Sequence, residues 1–476
     1  MTIPVRNPRT GEFDYAIEAV PASEIAAIAQ RLRTAQPAWL AAGADARAQT
    51  LRQWADVIEA RAGDLVAKLS VDTGRTAIAN IEVLSVAGTL RRWAERGPGM
   101  IAKLDLKDEP SATPGVTISN RHVPYQLLGV IAPWNFPLLL ALIDAIPALL
   151  AGCAALIKPS EITPRFIPVL RETIAAVPEL AKVLTIVEGD AETGRAIVGN
   201  VDYVCFTGSV ATGRKVAEAA GIAFIPANLE LGGKDPMIVL PSADPVKAAT
   251  IALRSSVAAN GQACQSIERL YVHRSHAEAF LTALVDQAKA VEFNYPDIGK
   301  GHIGPFIFPP QADKVQAQID AAVAQGAKVL HGGQVETLGG GKYLWPTILT
   351  DVTPDMAIIA EETFGPVIPV TIYDDVEDAI RLANDTVYGL SAAVIGDPVE
   401  AEKVGERLEA GAISINDGSM TAGVWDAENC SFKLSGMGPS RMGDAGLYRY
   451  FRVKAIIRQN GEAAPIAAYA EQPPLS

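Results

Sequence analysis

Two stretches decide the fold: Ala154-Ala-Leu-Ile-Lys-Pro-Ser-Glu161 and Tyr203-Val-Cys-Phe-Thr-Gly-Ser-Val-Ala-Thr-Gly213. Each is a short apolar run that ends in polar, turn-forming residues. A third run, Val183–Val187, lies between them. Helical patterns separate the runs, and one is read to begin at Thr163-Pro164, a capping residue followed by proline at the first helical position. Strands alternating with helices build βαβ units, and those build a parallel sheet. The fold class is α/β.

Upstream, Leu51, Trp54, Ile58, Ala62, Leu65 and Leu69 recur at three- and four-residue steps, one apolar stripe on a helix. Val116–Leu128 is rich in β-branched residues and reads as extended chain. The most apolar stretch, Phe136–Ile157, is broken by Asp144, Pro147 and Gly152, so it reads as a buried helix feeding a strand rather than as a membrane span. Downstream, a second alternating region runs from about 237 to 430, with strands at Met237–Leu240, Leu270–His273, Val367–Tyr373 and Ala412–Asn416. Tyr450–Arg458 reads as a last strand, and the tail from Gln459 as a surface extension.

A chain of 476 residues exceeds one ordinary core and implies two or three domains. With 49% hydrophobic and 20% charged residues it has a soluble globular balance. A net charge of −13 repels nucleic acid over most of the surface. The four cysteines are far apart and none forms a CxxC pair, so no metal is expected and a reducing compartment fits. Met1–Asp14 has no apolar signal core. The expected location is cytoplasmic, with neither a membrane nor a nucleic acid as partner.

Three residues are candidates for chemistry. Cys264, in Asn260-Gly-Gln-Ala-Cys264, follows small residues that leave room for a ligand; alone it reads as well as a buried structural cysteine, the reading given to Cys153 and Cys205. Glu230, in Leu229-Glu-Leu231-Gly232-Gly233-Lys234, is a carboxylate between two leucines. Desolvated there, it would gain basicity suited to a general base; the alternative is an ordinary ion pair. Asn135 is fixed by the prolines of Pro133-Trp-Asn-Phe-Pro137, and its amide could donate to an oxyanion. Gly232-Gly233-Lys234 continues with Asp235 and is therefore not a GxxxxGK[ST] phosphate loop. Gly339-Gly340-Gly341-Lys342 fails the same test and reads as a hairpin turn. The Phe206–Gly213 stretch follows a strand and opens a helix, whose free N–H groups suit a pyrophosphate. Lys158 and Glu161, past the carboxyl end of a strand, could share ribose hydroxyls.

In this order, the proline-flanked Trp-Asn-Phe, Lys-Pro-Ser-Glu, Phe-Thr-Gly-Ser, Glu-Leu-Gly-Gly-Lys and Gly-Gln-Ala-Cys resemble the aldehyde dehydrogenase superfamily. Glu361-Glu-Thr-Phe-Gly-Pro366 and Asn384-Asp-Thr-Val-Tyr-Gly389 extend the likeness over nearly the whole chain, and the spacing from Glu230 to Cys264 is the family's usual one. The resemblance implies a Rossmann-like NAD-binding domain (1–105 and 125–232), an α/β catalytic domain (233–436) and a β-strand oligomerisation arm (106–124 and 450–460), leaving 461–476 as a C-terminal extension. It implies NAD as cofactor, with NADP possible, a small aldehyde as substrate, and a homodimer or homotetramer. Cofactor contacts are implied for Pro133, Trp134, Lys158, Ser160, Glu161, Gly189, Phe206, Thr207, Gly208, Ser209, Gly213, Leu231, Gly232, Glu362 and Phe364, and a substrate pocket for Phe136, Asp144, Gln265, Trp425 and Phe432.

The implied reaction oxidises the aldehyde to the acid through a thiohemiacetal and a thioester on Cys264, with Asn135 holding the oxyanion and Glu230 activating the hydrolytic water. The carboxylate of Glu161 would repel a 2′-phosphate, which favours NAD. Nothing in the loop Asp417–Phe432 forms an arginine cluster for a substrate carboxylate, which favours apolar or aromatic aldehydes over semialdehydes. Alternatives are a CoA-acylating relative and a catalytically silent structural homologue. The chain departs from the family at two places: Asp144 stands where many members have Lys, and Lys433-Leu-Ser-Gly-Met-Gly438 continues as Pro439-Ser-Arg441 where many have Arg-Glu. An exchanged charge pair, Asp144 facing Arg441, is one reading; two unrelated surface changes is the other.

Overall fold

Apolar runs with no polar alternation belong in strands covered on both faces, and that is where they lie. In the computed structural model, which describes residues 1–471, Leu127–Ile131 is the centre of a sheet. Ala154–Lys158 and then Leu184–Ile186 lie on one side, Tyr203–Thr207 and then Ala227–Glu230 on the other, all four pairings parallel. The strand order reverses between Leu127–Ile131 and Tyr203–Thr207, so a crevice opens beyond the carboxyl ends of those two strands. A sixth strand, Gly436–Met437, arrives from far along the chain and pairs antiparallel with the outer strand, Gly436 opposite Glu230.

The helices packed on this sheet differ in detail from expectation. The stripe Leu51–Leu69 is divided at Arg61 into Ala44–Ala60 and Ala62–Thr73. The apolar stretch before Ala154 is two helices, Pro137–Leu142 and Ala145–Ala151, interrupted at Ile143-Asp144. The helix expected from Thr163-Pro164 begins only at Ile167; the Thr163 hydroxyl donates instead to the Trp134 carbonyl at 3.2 Å, tying this turn to the Pro133–Pro137 segment. No helix among the described residues is long and apolar enough to cross a membrane.

The second sheet has seven strands in the order Lys328–His331, Thr347–Thr350, Val367–Tyr373, Ile267–His273, Asp235–Val239, Ser391–Ile395 and Ala412–Ile415; only the first is antiparallel to its neighbour. The glycine run at 339–341 is the expected hairpin turn, joining Val335–Leu338 to Gly341–Leu344 with positive φ at Gly339 and Gly340. The stretch read as continuous extended chain divides in two, because Val116–Pro124 turns away from the first sheet to pair antiparallel with Leu106–Pro110 and Phe451–Gln459. An N-terminal hairpin, Thr2–Arg6 with Phe13–Glu18, was not expected. Of the C-terminal extension, residues 472–476 lie outside the described residues; Ile466–Tyr469 is a short, exposed 3-10 turn.

Candidate active site

Three segments converge where the two large sheets meet. Asn135 follows the carboxyl end of Leu127–Ile131, and Glu230 ends the strand Ala227–Glu230. Cys264 precedes the strand Ile267–His273, in a loop entered through three consecutive left-handed residues, Ala259, Asn260 and Gly261. That conformation is strained for Ala and Asn and holds only where the surroundings enforce it. They do so at Gly261, where a Cβ would lie 2.3 Å from the Gly365 carbonyl. Gln262 locks the loop further: its side-chain carbonyl accepts from Ile307 N–H (2.9 Å) and its backbone carbonyl accepts from the Asn135 amide (3.0 Å). Asn135 is therefore tied directly to the loop of Cys264.

Cys264, Glu230 and Asn135 line one cavity of about 270 Å³ with Pro133, Trp134, Leu231, Gly232, Glu362 and Phe364. Burial above all, and Asp235 next, pushes the Cys264 thiol up to about 12; Glu230 and Glu362 add to this and Arg441 opposes it. Cys264 at rest is thus a thiol. Cys153 and Cys205 are fully buried core residues, and Cys430 is exposed. Glu230 does not stand in the purely apolar surroundings its leucines suggested. The Ser431 hydroxyl donates to its Oε2 at 3.0 Å, and the Arg441 guanidinium lies 3.9 Å from Oε1.

A second cavity of about 370 Å³ continues from the first across Pro133, Trp134, Thr207, Gly208 and Ser209, and reaches Lys158, Ser160, Glu161 and Phe206. At its far end Lys158 Nζ pairs with Glu161 Oε2 at 3.0 Å. In its middle the helix Val210–Ala223 begins, capped by Ser209, whose Oγ accepts from Thr212 N–H at 3.3 Å. At the near end the half-buried Glu362 is held against the chain: Gly233 N–H donates to it at 3.1 Å, and a Cβ on Gly232 would lie 2.4 Å from its Oε1. Burial, with Glu268 next, raises the Glu362 carboxyl to about 7. Glu268 itself anchors this loop, accepting from the N–H groups of Thr363 (2.8 Å) and Phe364 (2.7 Å) and from Lys234 (2.8 Å). Trp134 and Phe364 meet edge to face, 5.4 Å between centroids. An elongated groove with a polar pair at one end, a helix start in its middle and an aromatic and carboxylate wall at the other fits a dinucleotide such as NAD(P).

Other expected contacts lie elsewhere. Gly189 and Gly213 serve packing, since a Cβ would meet Thr193 Oγ1 at 2.2 Å and Leu231 Cδ2 at 2.6 Å. Phe136 sits beneath the Arg75 guanidinium (5.4 Å) and Trp425 beneath that of Arg92 (5.2 Å). Gln265 accepts from Thr421 at 3.1 Å, and Phe432 is 46% exposed. Asp144 is not a substrate-pocket residue. It is buried at 1% exposure and bonded to Arg441 (3.1 Å) and Arg449 (2.5 Å). Burial would raise its carboxyl, yet the two guanidiniums hold it below its ordinary range. A surface change would not be buried and doubly paired, so the exchanged-pair reading stands.

Two residues of the site escaped the sequence. Arg75 donates to the carbonyls of Asn135 (2.5 Å) and Ala259 (2.9 Å), bridging the two segments that meet at Cys264. Glu82 accepts from Leu138 and Leu139 N–H, both at 3.1 Å, capping from outside the helix that follows Asn135. The available signal was a carboxylate at 82 beside the apolar positions Ala79, Val83 and Val86 of one helix face.

A model of the aldehyde dehydrogenase family matches residues 1–456. The chain belongs to that family. It is 34% identical to a Mycolicibacterium smegmatis protein provisionally named as an NADP-type succinate-semialdehyde dehydrogenase, over 95% of this chain and 88% of that one. Among solved structures, PutA from Anabaena variabilis superposes with a TM-score of 0.95 at 47% identity, covering 98% of this chain and 99% of that one. Betaine aldehyde dehydrogenase from Staphylococcus aureus, solved with NAD+, gives a TM-score of 0.89 at 28% identity, covering 97% and 93%. Membership carries the oxidation of an aldehyde with a nicotinamide cofactor, and the aldehyde dehydrogenase fold matches the two sheets described above.

Proposed function

We propose that this dehydrogenase hydrolyses a thioester formed on Cys264, with Glu230 as general base and Asn135 as oxyanion donor. The supporting observation is the cavity that the three side chains share, continuous with the dinucleotide groove. Because burial holds Cys264 as a thiol, its proton must leave before attack, and Glu230 is the acceptor on the same cavity wall. The thiolate adds to the aldehyde carbon. The Asn135 amide and the Cys264 backbone N–H hold the oxygen that becomes negative. When bound, the nicotinamide cofactor supplies the hydride acceptor. A thioester then remains on Cys264. Once Glu230 has released the thiol proton to solvent, it takes a proton from the water that attacks the thioester; the carbon–sulfur bond breaks, Cys264 leaves as thiolate and the acid departs.

Lys158 and Glu161 would hold the adenosine ribose, and the half-buried carboxylate of Glu161 favours NAD over NADP. Glu362 would hold the nicotinamide ribose. The substrate is an apolar or aromatic aldehyde, since no arginine cluster arises in the loop Asp417–Phe432; the name of the M. smegmatis relative favours a semialdehyde as the second reading. The cofactor domain takes 1–105 and 125–232, the catalytic domain 233–436, and the arm 106–124 with 450–460. The outer strand of that arm, Phe451–Gln459, is exposed along almost its whole length, which suits addition to a neighbour's sheet in a homodimer or homotetramer. Four unpaired cysteines suit the cytoplasm. Reduced-cofactor absorbance with aliphatic, aromatic and semialdehyde substrates, with and without CoA, tests the reading. Activity is expected without CoA and should vanish in Cys264→Ser; turnover surviving in that variant refutes the nucleophile.

A further inference from the structure

A cluster of buried charge lies directly behind Glu230. Arg441 follows the strand Gly436–Met437 that pairs with Glu230's own strand. One end of its guanidinium is fully engaged: Nη2 donates to Asp144 Oδ2 (3.1 Å) and to Thr207 Oγ1 (2.7 Å). Asp144 is held in turn by Arg449 (2.5 Å), and its carbonyl accepts from the Tyr450 hydroxyl (2.7 Å). Arg449 also donates to Asn228 (2.7 Å), on the strand that ends at Glu230. The Nε of Arg441 is buried and without a hydrogen-bond partner, 3.9 Å from Glu230 Oε1. A buried charged donor kept unpaired is costly unless it serves a partner that comes and goes.

We infer that Arg441, braced by Asp144 and Arg449, is a positioning residue for the Glu230 carboxylate, holding it aligned for thioester hydrolysis. The inference rests on the reading of Glu230 as general base. Closing 3.9 Å to an ordinary hydrogen bond needs only a small side-chain rotation of Glu230, whose other oxygen remains with Ser431. Asp144 neutralises part of the guanidinium charge and so tempers its pull on Glu230. The charged and titratable groups facing Glu230 are Arg441 and, across the cavity, Cys264 and Glu362; Asp144 and Arg449 act through Arg441.

The test separates acylation from deacylation by stopped-flow absorbance of the reduced cofactor with propanal and benzaldehyde. Arg441→Met leaves Asp144 paired with Arg449, so the brace survives. The expected result is a burst that is retained but slower, since Glu230 also takes the thiol proton, with deacylation about 10-fold slower and an acid limb of the deacylation profile moved up by about 1 pH unit, because a carboxylate that loses a neighbouring cation ionises less readily. Arg441→Lys should return the limb towards the parent's. Asp144→Asn strips the tempering charge and should move the limb the opposite way, to lower pH; it serves equally if Arg441→Met does not fold. Limbs in Arg441→Met and Asp144→Asn that both superimpose on the parent's overturn the inference. Glu230→Gln, run in parallel, separates the two claims. If it abolishes hydrolysis while the other limbs stay fixed, only the positioning role falls. If hydrolysis and its pH profile survive Glu230→Gln, the base assignment falls and takes the inference with it.

Discussion

Replacing Glu82 with Gln should make the protein progressively more stable than the parent as pH rises from about 5 towards neutrality, with the advantage held at higher pH and little change in strongly acid solution. Glu82 is fully buried; Leu138 and Leu139 N–H groups satisfy one oxygen and the other has no partner. Burial raises its carboxyl to about 7 from the ordinary 4.5, against the pull of the two N–H groups and of Arg75. Such a group binds its proton more tightly folded than unfolded. The stability it contributes is therefore complete below the unfolded value and is lost as pH rises through the folded one. At 1.36 kcal/mol per unit the whole loss is about 3 kcal/mol. About 2 kcal/mol of it falls between about pH 5.5 and 8, once the part lost below that window is removed. Gln keeps the shape and an acceptor carbonyl but does not titrate. The assay is urea denaturation followed by tryptophan fluorescence at fixed protein concentration, because association also shifts apparent stability. Other groups titrate equally in both proteins, so the difference between their stabilities isolates position 82. It should widen by about 2 kcal/mol in favour of Gln across that window. A difference that stays flat would mean that Glu82 is already ionised in the fold, balanced by Arg75, and would refute the reasoning.

Asn135→Ala should lower kcat by about 10²- to 10³-fold, the usual cost of one oxyanion donor, with cofactor affinity by fluorescence titration nearly unchanged. A loss confined to KM would contradict the role. Glu161→Gln removes the carboxylate paired with Lys158 and frees that ammonium to meet a 2′-phosphate. The NADP-to-NAD ratio of kcat/KM should rise by roughly 10-fold, about 1.4 kcal/mol; an unchanged ratio would place the ribose elsewhere.

Strands were legible where a run of Val, Ile, Leu or aromatic residues stood between turn signals. Val367–Tyr373 appears at its expected bounds, and Ala154–Lys158 and Tyr203–Thr207 each run one residue past their apolar run. The shared cavity of Cys264, Glu230 and Asn135 was also anticipated, because ordered motifs carry information that no single residue does. What stayed hidden was set by tertiary partners. Thr163 looks like a helix cap, but its hydroxyl is taken by Trp134. Asp144 looks like a pocket residue until Arg449, distant in sequence, is found against it. Arg75 makes no local pattern at all; its two acceptors belong to segments that only the fold brings together.

The strand Gly436–Met437 closes the outer edge of a sheet whose other members end by residue 230. A nascent chain must therefore keep that edge open while roughly 200 further residues are synthesised, on the order of 10 to 40 seconds at ordinary elongation rates. During that interval the backbone of Ala227–Glu230 is an unpaired template for other strands. The general base sits at the end of this template and its brace, Arg441 and Arg449, arrives last. The active site is then among the final parts to be assembled at the ribosome, and a chain cut short before Gly436 would emerge both inactive and prone to self-association.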